Sequence, residues 1–272
     1  MAAILVASVA LAGWLVRRRG GAIRAGVEVL QQVRLKGLAA YWGREPVADW
    51  YLRRDGTGKP VGWWTRQRTA VEGGYRGRTI GRSGAGLFRE TWTLDTAART
   101  GTYQAEMSTL VQRPGMRVPL LRPLTSTTIT YRDGEVEVRR ESLGKVARAT
   151  GKAPRHYVPE GLSTLVYRLT AASGSPAAFA MIFNEEAIAG GQVRFAQLRV
   201  VARGPRGVEV RYESLTGSGG EALEFDEAGR IARGAQSGGR TAYQRADFEA
   251  VRKQFPEVEL FSNSDKAELK SD

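Results

Sequence analysis

Cysteine is absent from the 272 residues, and histidine occurs once, as His156. The first absence excludes disulfides, thiolate nucleophiles, zinc–thiolate sites and lipid attachment to an N-terminal cysteine. The second leaves any Ser-His-Asp catalysis to His156, and no Gly-x-Ser-x-Gly elbow accompanies it. Ala-rich helical stretches are few, which favours strands and turns over a helical bundle. The run Gly81-Arg82-Ser83-Gly84-Ala85-Gly86 lacks the Gly-Lys-Ser/Thr ending of a phosphate loop and reads as a long turn. Neighbouring acids such as Glu185-Glu186 and Asp226-Glu227 point to opposite faces when they lie in a strand, so neither pair forms a metal site by itself. No catalytic residue, metal-ligand set or cofactor motif is assigned.

Acidic residues are fewer than basic ones, 28 against 41, for a net charge of +13. The excess is uneven: residues 1–180 carry 28 basic and 13 acidic side chains, residues 181–272 carry 13 and 15. A basic face attracts nucleic acid or anionic headgroups. Here the arginines alternate with apolar residues, as on the wet face of a strand. With no recognition motif present, nucleic acid is not expected as a partner.

The longest uncharged stretch is Ala2–Val16, followed at once by Arg17, Arg18 and Arg19. As a helix it spans about 22 Å, short of the ~30 Å hydrocarbon core. A short membrane anchor, a cleaved signal peptide and a helix of a soluble protein are the alternatives, and the anchor is preferred. The arginines after the run favour a cytoplasmic body, so orientation stays open. Residues 20–47 read as a linker, helical and amphipathic, lying near the membrane.

From Trp50 the pattern turns to strands. Leu87–Asp95 places Phe88, Glu90, Trp92 and Leu94 on one face. Arg132-Asp133-Gly134 is a hairpin turn between Thr127–Tyr131 and Glu135–Glu141. Residues 142–160 read as a basic loop and Leu162–Ala172 as a short helix. About seven further segments follow, from Ala177 to the helical Asp247–Phe255. About ten strands joined by short turns predict a mainly β fold: a curled antiparallel up-and-down sheet, half-barrel-like, with one or two covering helices and an N-terminal membrane helix. The divisions are 1–19 as anchor, 20–47 as linker, 48–255 as one β-rich domain, and 256–272 as a loose tail.

Trp50-Tyr51-Leu52 with Gly58-Lys59-Pro60-Val61-Gly62-Trp63, and Glu224-Phe225-Asp226-Glu227-Ala228-Gly229-Arg230-Ile231, resemble turn signatures of β-meander domains in bacterial envelope proteins. The layout is similar to curved-sheet lipoprotein carriers of the LolA/LppX kind. The resemblance implies an extracytoplasmic, periplasmic domain whose sheet holds an apolar ligand. The leading expectation is therefore a non-enzymatic, membrane-anchored envelope protein, attached through residues 2–16, that binds a lipid or other apolar ligand. Its candidate ligand-binding residues are Trp63, Trp64, Trp92, Tyr103 and Met107, with Arg66, Arg68 and Arg89 meeting headgroups. Trp63 and Trp64 adjoin in a strand and must face opposite sides, one toward the core and the other toward a covering helix, the membrane or a groove. The alternatives are a structural or protein-interaction module of the envelope and an unrecognised hydrolase.

Overall fold

The structure is a computed structural model. It describes residues 20–84, 86–111, 120–214, 217–236, 238 and 240–259. The apolar run Ala2–Val16 lies outside them. Among the described residues no helix is long and apolar enough to cross a membrane.

In chain order the strands of the first half are β1 (Val47–Asp55), β2 (Pro60–Val71), β3 (Gly74–Ser83), β4 (Gly86–Asp95), β5 (Thr100–Val111), β6 (Leu120–Arg132), β7 (Glu135–Ser142) and β8 (Lys145–Lys152). The second half contains β9 (Ala177–Met181), β10 (Ile188–Ala189), β11 (Gln192–Val193), β12 (Ala196–Ala202), β13 (Gly207–Glu213), β14 (Ser218–Phe225), β15 (Ile231–Gln236) and β16 (Thr241–Ala246). The helices are α1 (residues 20–36), α2 (Ala39–Trp42), α3 (Ser163–Ser173) and α4 (Phe248–Gln254).

Fourteen strands form one curled antiparallel sheet, in the order β8-β7-β6-β5-β4-β3-β2-β1-β16-β15-β14-β13-β12-β9. The up-and-down expectation holds within each half. The two halves join where β1 pairs with β16, with Trp50 opposite Ala246 and Asp55 opposite Thr241. After β8 the chain crosses to the other edge: Tyr157 bridges Ala180 of β9, Ala180 N–H donates to the His156 carbonyl and Val158 N–H to that of Ala180, both at 2.9 Å. The β10–β11 hairpin packs on β8, where a Cβ on Gly151 would touch Val193. These contacts bring the two sheet edges together.

Short turns set the registers. Asp133 (φ 44°) and Gly134 (φ 91°) join β6 to β7 with two left-handed residues, the hairpin geometry whose twist suits the flanking strands. Strand-ending aspartates organise others. Asp55 accepts from Thr57 and Lys59 N–H groups, Asp95 from those of Ala97, Arg99 and Thr100, and Asp226 from that of Arg230.

The core fills the inner face of the curl. The residues read as a linker supply part of it. Ala22, Gly26, Leu30 and Val33 form one buried stripe along α1 at helical spacing. Gly26 lets that helix lie on the β9 backbone, since a Cβ there would fall 2.0 Å from the Ala178 carbonyl oxygen. α1 stops at Gly37 (φ 74°), and Leu38 N–H then donates to Thr96 O at 2.8 Å, tying the helix to the β4–β5 turn. α3 buries Leu165, Val166, Tyr167 and Ala171 against β12 and β13. The concavity is thus occupied by the chain's own helices.

A second, smaller cluster lies on the outer face. Trp63, Ile80 and Leu87 are buried beneath Val251 of α4 and Val258. The Asp247 carboxylate caps α4 by accepting from Ala250 N–H at 2.6 Å. Asp247→Ala is expected to cost about 1 kcal/mol in urea unfolding and to shift the Trp63 emission to the red as α4 loosens.

Two readings need correction. Gly74–Ser83 is a full strand, so the glycine-rich run at 81–86 is the end of β3 and the start of β4 rather than a long loop. Residues 142–160 are not a loop throughout, because Lys145–Lys152 pairs along its whole length with β7. With these and the short pieces between β9 and β12, the described residues hold sixteen strands in place of about ten. Of the expected loose tail, residues 256–259 are described, and Val258 is buried against the outer cluster.

Candidate functional site

Alternation along β2 places Trp64, Arg66 and Arg68 on the inner face and Trp63 on the outer one. The registers extend each position into a row across the sheet. Arg68 lies beside Gly77, then Trp92, then Tyr103; Arg66 beside Thr79, then Glu90; Trp64 beside Gly81, then Phe88, then Met107. Six of the eight candidates therefore face inward. Arg89 pairs with Ile80 and lies outside with Trp63, which is shut beneath α4.

The six do not form one pocket. Trp64 stacks on Tyr51 at 4.9 Å and meets Tyr243 edge-on at 4.3 Å, inside the packed core. Met107 is at the opposite end of the sheet from Trp92. Arg66, Arg68 and Trp92 do meet, in a cleft of about 310 Å³. It opens at the end that carries the β2–β3, β4–β5 and β14–β15 turns. Its walls include Trp42 of α2, Asp49 of β1, Arg168 of α3 and Arg230 of the β14–β15 turn.

Four guanidinium groups thus converge on one cleft beside one carboxylate. Arg230 pairs with Asp49 and with Asp226, each at 3.4 Å. The other three make different contacts. Arg66 donates to the Thr164 hydroxyl. Arg68 lies over the Trp42 ring, 4.8 Å from its centre, and donates to the Trp42 carbonyl at 3.2 Å. Arg168 donates to the Tyr41 carbonyl at 3.3 Å. Among the described residues no carboxylate forms an ion pair with Arg66, Arg68 or Arg168. Burial, then repulsion from Arg66, lowers the Arg68 pKa to about 10, and burial lowers that of Arg168. Burial raises Asp49, against the pull of Arg230 and Arg245.

Behind Arg66 the interior is polar. Glu90 of β4 lies close to the Tyr103 hydroxyl, which accepts from Asn184 Nδ2 at 2.9 Å. Tyr243 donates to Glu221 of β14 at 2.9 Å. Glu160, in the 3-10 turn that opens α3, has no hydrogen-bond partner among the described residues, and burial pushes it up to about 8. Burial raises Glu90 and Glu221 as well, while Arg66 pulls all three down. The three glutamates are enclosed by protein, yet each keeps some solvent-sized space at its surface.

The sequence reading missed Asp49, Thr164, Arg168 and Arg230 in the cleft. A charge at Arg168 within the apolar helix Leu165–Ala171 was the available signal. Glu90 had a plainer one, an acid between Phe88 and Trp92 on an apolar face. His156 lies in the segment that crosses to β9. Its imidazole makes no hydrogen bond or ion pair among the described residues, and burial lowers its pKa. Among the described residues no three His, Asp or Glu side chains are placed to hold a metal ion.

No family model matches the chain, and no curated protein matches it. One solved structure with a similar fold is a β-barrel-like protein of a domain of unknown function, DUF1849, from Brucella abortus. It is 11% identical over 74% of this chain and 95% of that one, with a TM-score of 0.49.

Proposed function

We propose that the domain is a non-catalytic binding module that takes the anionic group of a small or amphiphilic molecule between Arg66, Arg68 and Arg168. One observation carries this reading: three partly buried arginines face one cleft with no carboxylate among the described residues paired to them. Like charges held together out of water are costly, and an arriving phosphate or carboxylate would offset that cost through charge-assisted, bidentate hydrogen bonds. The volume suits a headgroup-sized ligand. Trp42 and Trp92 supply an apolar wall for the part next to the anion.

This narrows the expectation of a lipid in the concavity. α1 and α3 fill that space, so an acyl chain would have to lie elsewhere. The filled concavity also favours the second reading, a protein-interaction module of the envelope. In either case Ala2–Val16 would hold the domain at a membrane, with the body extracytoplasmic. A reporter fused after Asp272 that is active only in the cytoplasm would reject that placement.

The cleft is tested by isothermal titration with glycerol 3-phosphate and inorganic phosphate, with glycerol as the neutral control. Arg168→Gln is expected to weaken anion binding roughly 10- to 150-fold, the worth of one hydrogen bond to a charged group. Arg233→Gln, on a surface arginine paired with Glu224 at 2.7 Å, should leave affinity unchanged. Absence of binding to either anion at millimolar concentration would leave the interaction module as the better reading.

A further inference from the structure

At the end of the sheet opposite the cleft, four large apolar side chains are exposed on one rim. Leu143 is 79% exposed, Val146 51%, Met107 38% and Leu124 37%. The registers place Leu143 in the β7–β8 turn, Val146 next to it opposite Glu141, and Leu124 beside Thr125, the partner of Ser142; Met107, also paired with Thr125, faces inward. Only Leu35 and Val71 are otherwise exposed among the large apolar residues described.

The β7–β8 turn has the same backbone as the β6–β7 turn. Leu143 (φ 50°) and Gly144 (φ 77°) repeat the left-handed pair made by Asp133 (φ 44°) and Gly134 (φ 91°). Asp or Asn suits the first position, because a short polar side chain tolerates positive φ. A leucine there is strained and gains no burial. Edge-strand protection accounts for Lys145 and Arg148 on β8, but charges serve that purpose and Leu143 and Val146 do not.

The flanking charge indicates what covers the rim. Arg139, Lys145 and Arg148 surround the tip, and its nearest acid, Glu141, pairs with Arg139 at 3.1 Å. An apolar tip ringed by basic side chains matches the interface of an anionic bilayer, where the leucine and valine enter the headgroup layer and the cations stay with the phosphates. We propose that the β7–β8 tip, Leu143 and Val146 with Leu124 behind them, is a membrane-contacting surface selective for anionic lipid. This surface is independent of the arginine cleft.

Because the chain lacks cysteine, one introduced thiol can carry an environment-sensitive fluorophore in the full-length protein. Ala147→Cys places it on the exposed hairpin, and Glu72→Cys places it at the other end of the sheet. On vesicles of phosphatidylcholine with phosphatidylglycerol, the label at 147 should shift to the blue and the label at 72 should not. Phosphatidylcholine alone should give at most a tenth of that response. Adding Leu143→Asn should abolish the shift while the thermal midpoint holds or rises, since asparagine suits the turn. An unshifted label at 147, equal shifts at both positions, or equal shifts on both vesicle types would overturn the proposal. So would a concentration-dependent shift without vesicles, which would assign the rim to a second copy of the chain.

Discussion

Gly77→Ala is expected to destabilise the domain by roughly 3 kcal/mol or more, the upper part of the range for forcing extra volume into a packed core. A Cβ at residue 77 would lie 2.1 Å from two carbons of the Trp92 ring. The indole has no room to retreat. A Cβ on Gly161, in the turn before α3, would meet it at 2.7 Å, and the Trp42 ring packs against it at 5.7 Å between centres. Two glycines thus hold one tryptophan between sheet and helix. Urea unfolding measures the loss. The double variant Gly77→Ala/Trp92→Leu should recover part of it, because the smaller side chain vacates the space the methyl needs. If Gly77→Ala is as stable as the parent, the indole does not lie over β3.

The same packing explains which strands could be read from the sequence. In β4 the inward residues are Phe88, Glu90, Trp92 and Leu94, and the alternation is plain. In β3 they are Tyr75, Gly77, Thr79 and Gly81, because the aromatic groups of β2 and β4 occupy the volume that large side chains would have filled. A Cβ on Gly81 would meet both Phe88 and Trp64 at about 2.5 Å. In β8 the inward residues are Ala147, Ala149 and Gly151, against Arg140, Val138 and Val136 of β7. Both strands lack an apolar period, since their inner faces are shaped for a neighbour's bulk. α4 was legible because Asp247 caps it and Pro256 follows it.

The cleft was half legible. Arg66, Arg68 and Trp92 lie on strands whose alternation fixes their face. Arg168 and Thr164 come from α3, about a hundred residues away in sequence, and no periodicity carries that pairing. The eight candidates fell on two faces because a strand places neighbours on opposite sides, and one assignment cannot serve both Trp63 and Trp64.

Stability is expected to fall as pH rises from about 5 to 9, by on the order of 4 kcal/mol from Glu160 alone. Its pKa rises from 4.5 to about 8 on folding. Between those values the native state binds the proton and the unfolded chain does not, so each step up in pH favours unfolding until the native carboxyl has ionised. Burial shifts Glu90 and Glu221 the same way. Asp95 and Asp226 act oppositely: burial raises them, but hydrogen bonds from the turn backbone prevail and hold both below 3.8. Their contribution is present above that value and is lost in stronger acid. The stability maximum should therefore lie near pH 4–5. Glu160→Gln should match the parent at about pH 5 and exceed it at about pH 9, and urea unfolding at both values decides the matter. A parent protein equally stable at both would show that the interior glutamates stay hydrated. The titration also reaches the cleft. Glu160 stands one helical turn before Thr164, which holds Arg66. When Glu160 ionises, Arg66 gains a negative neighbour and attracts a ligand anion less, so anion affinity and stability should decline over the same pH range, and Glu160→Gln should flatten both.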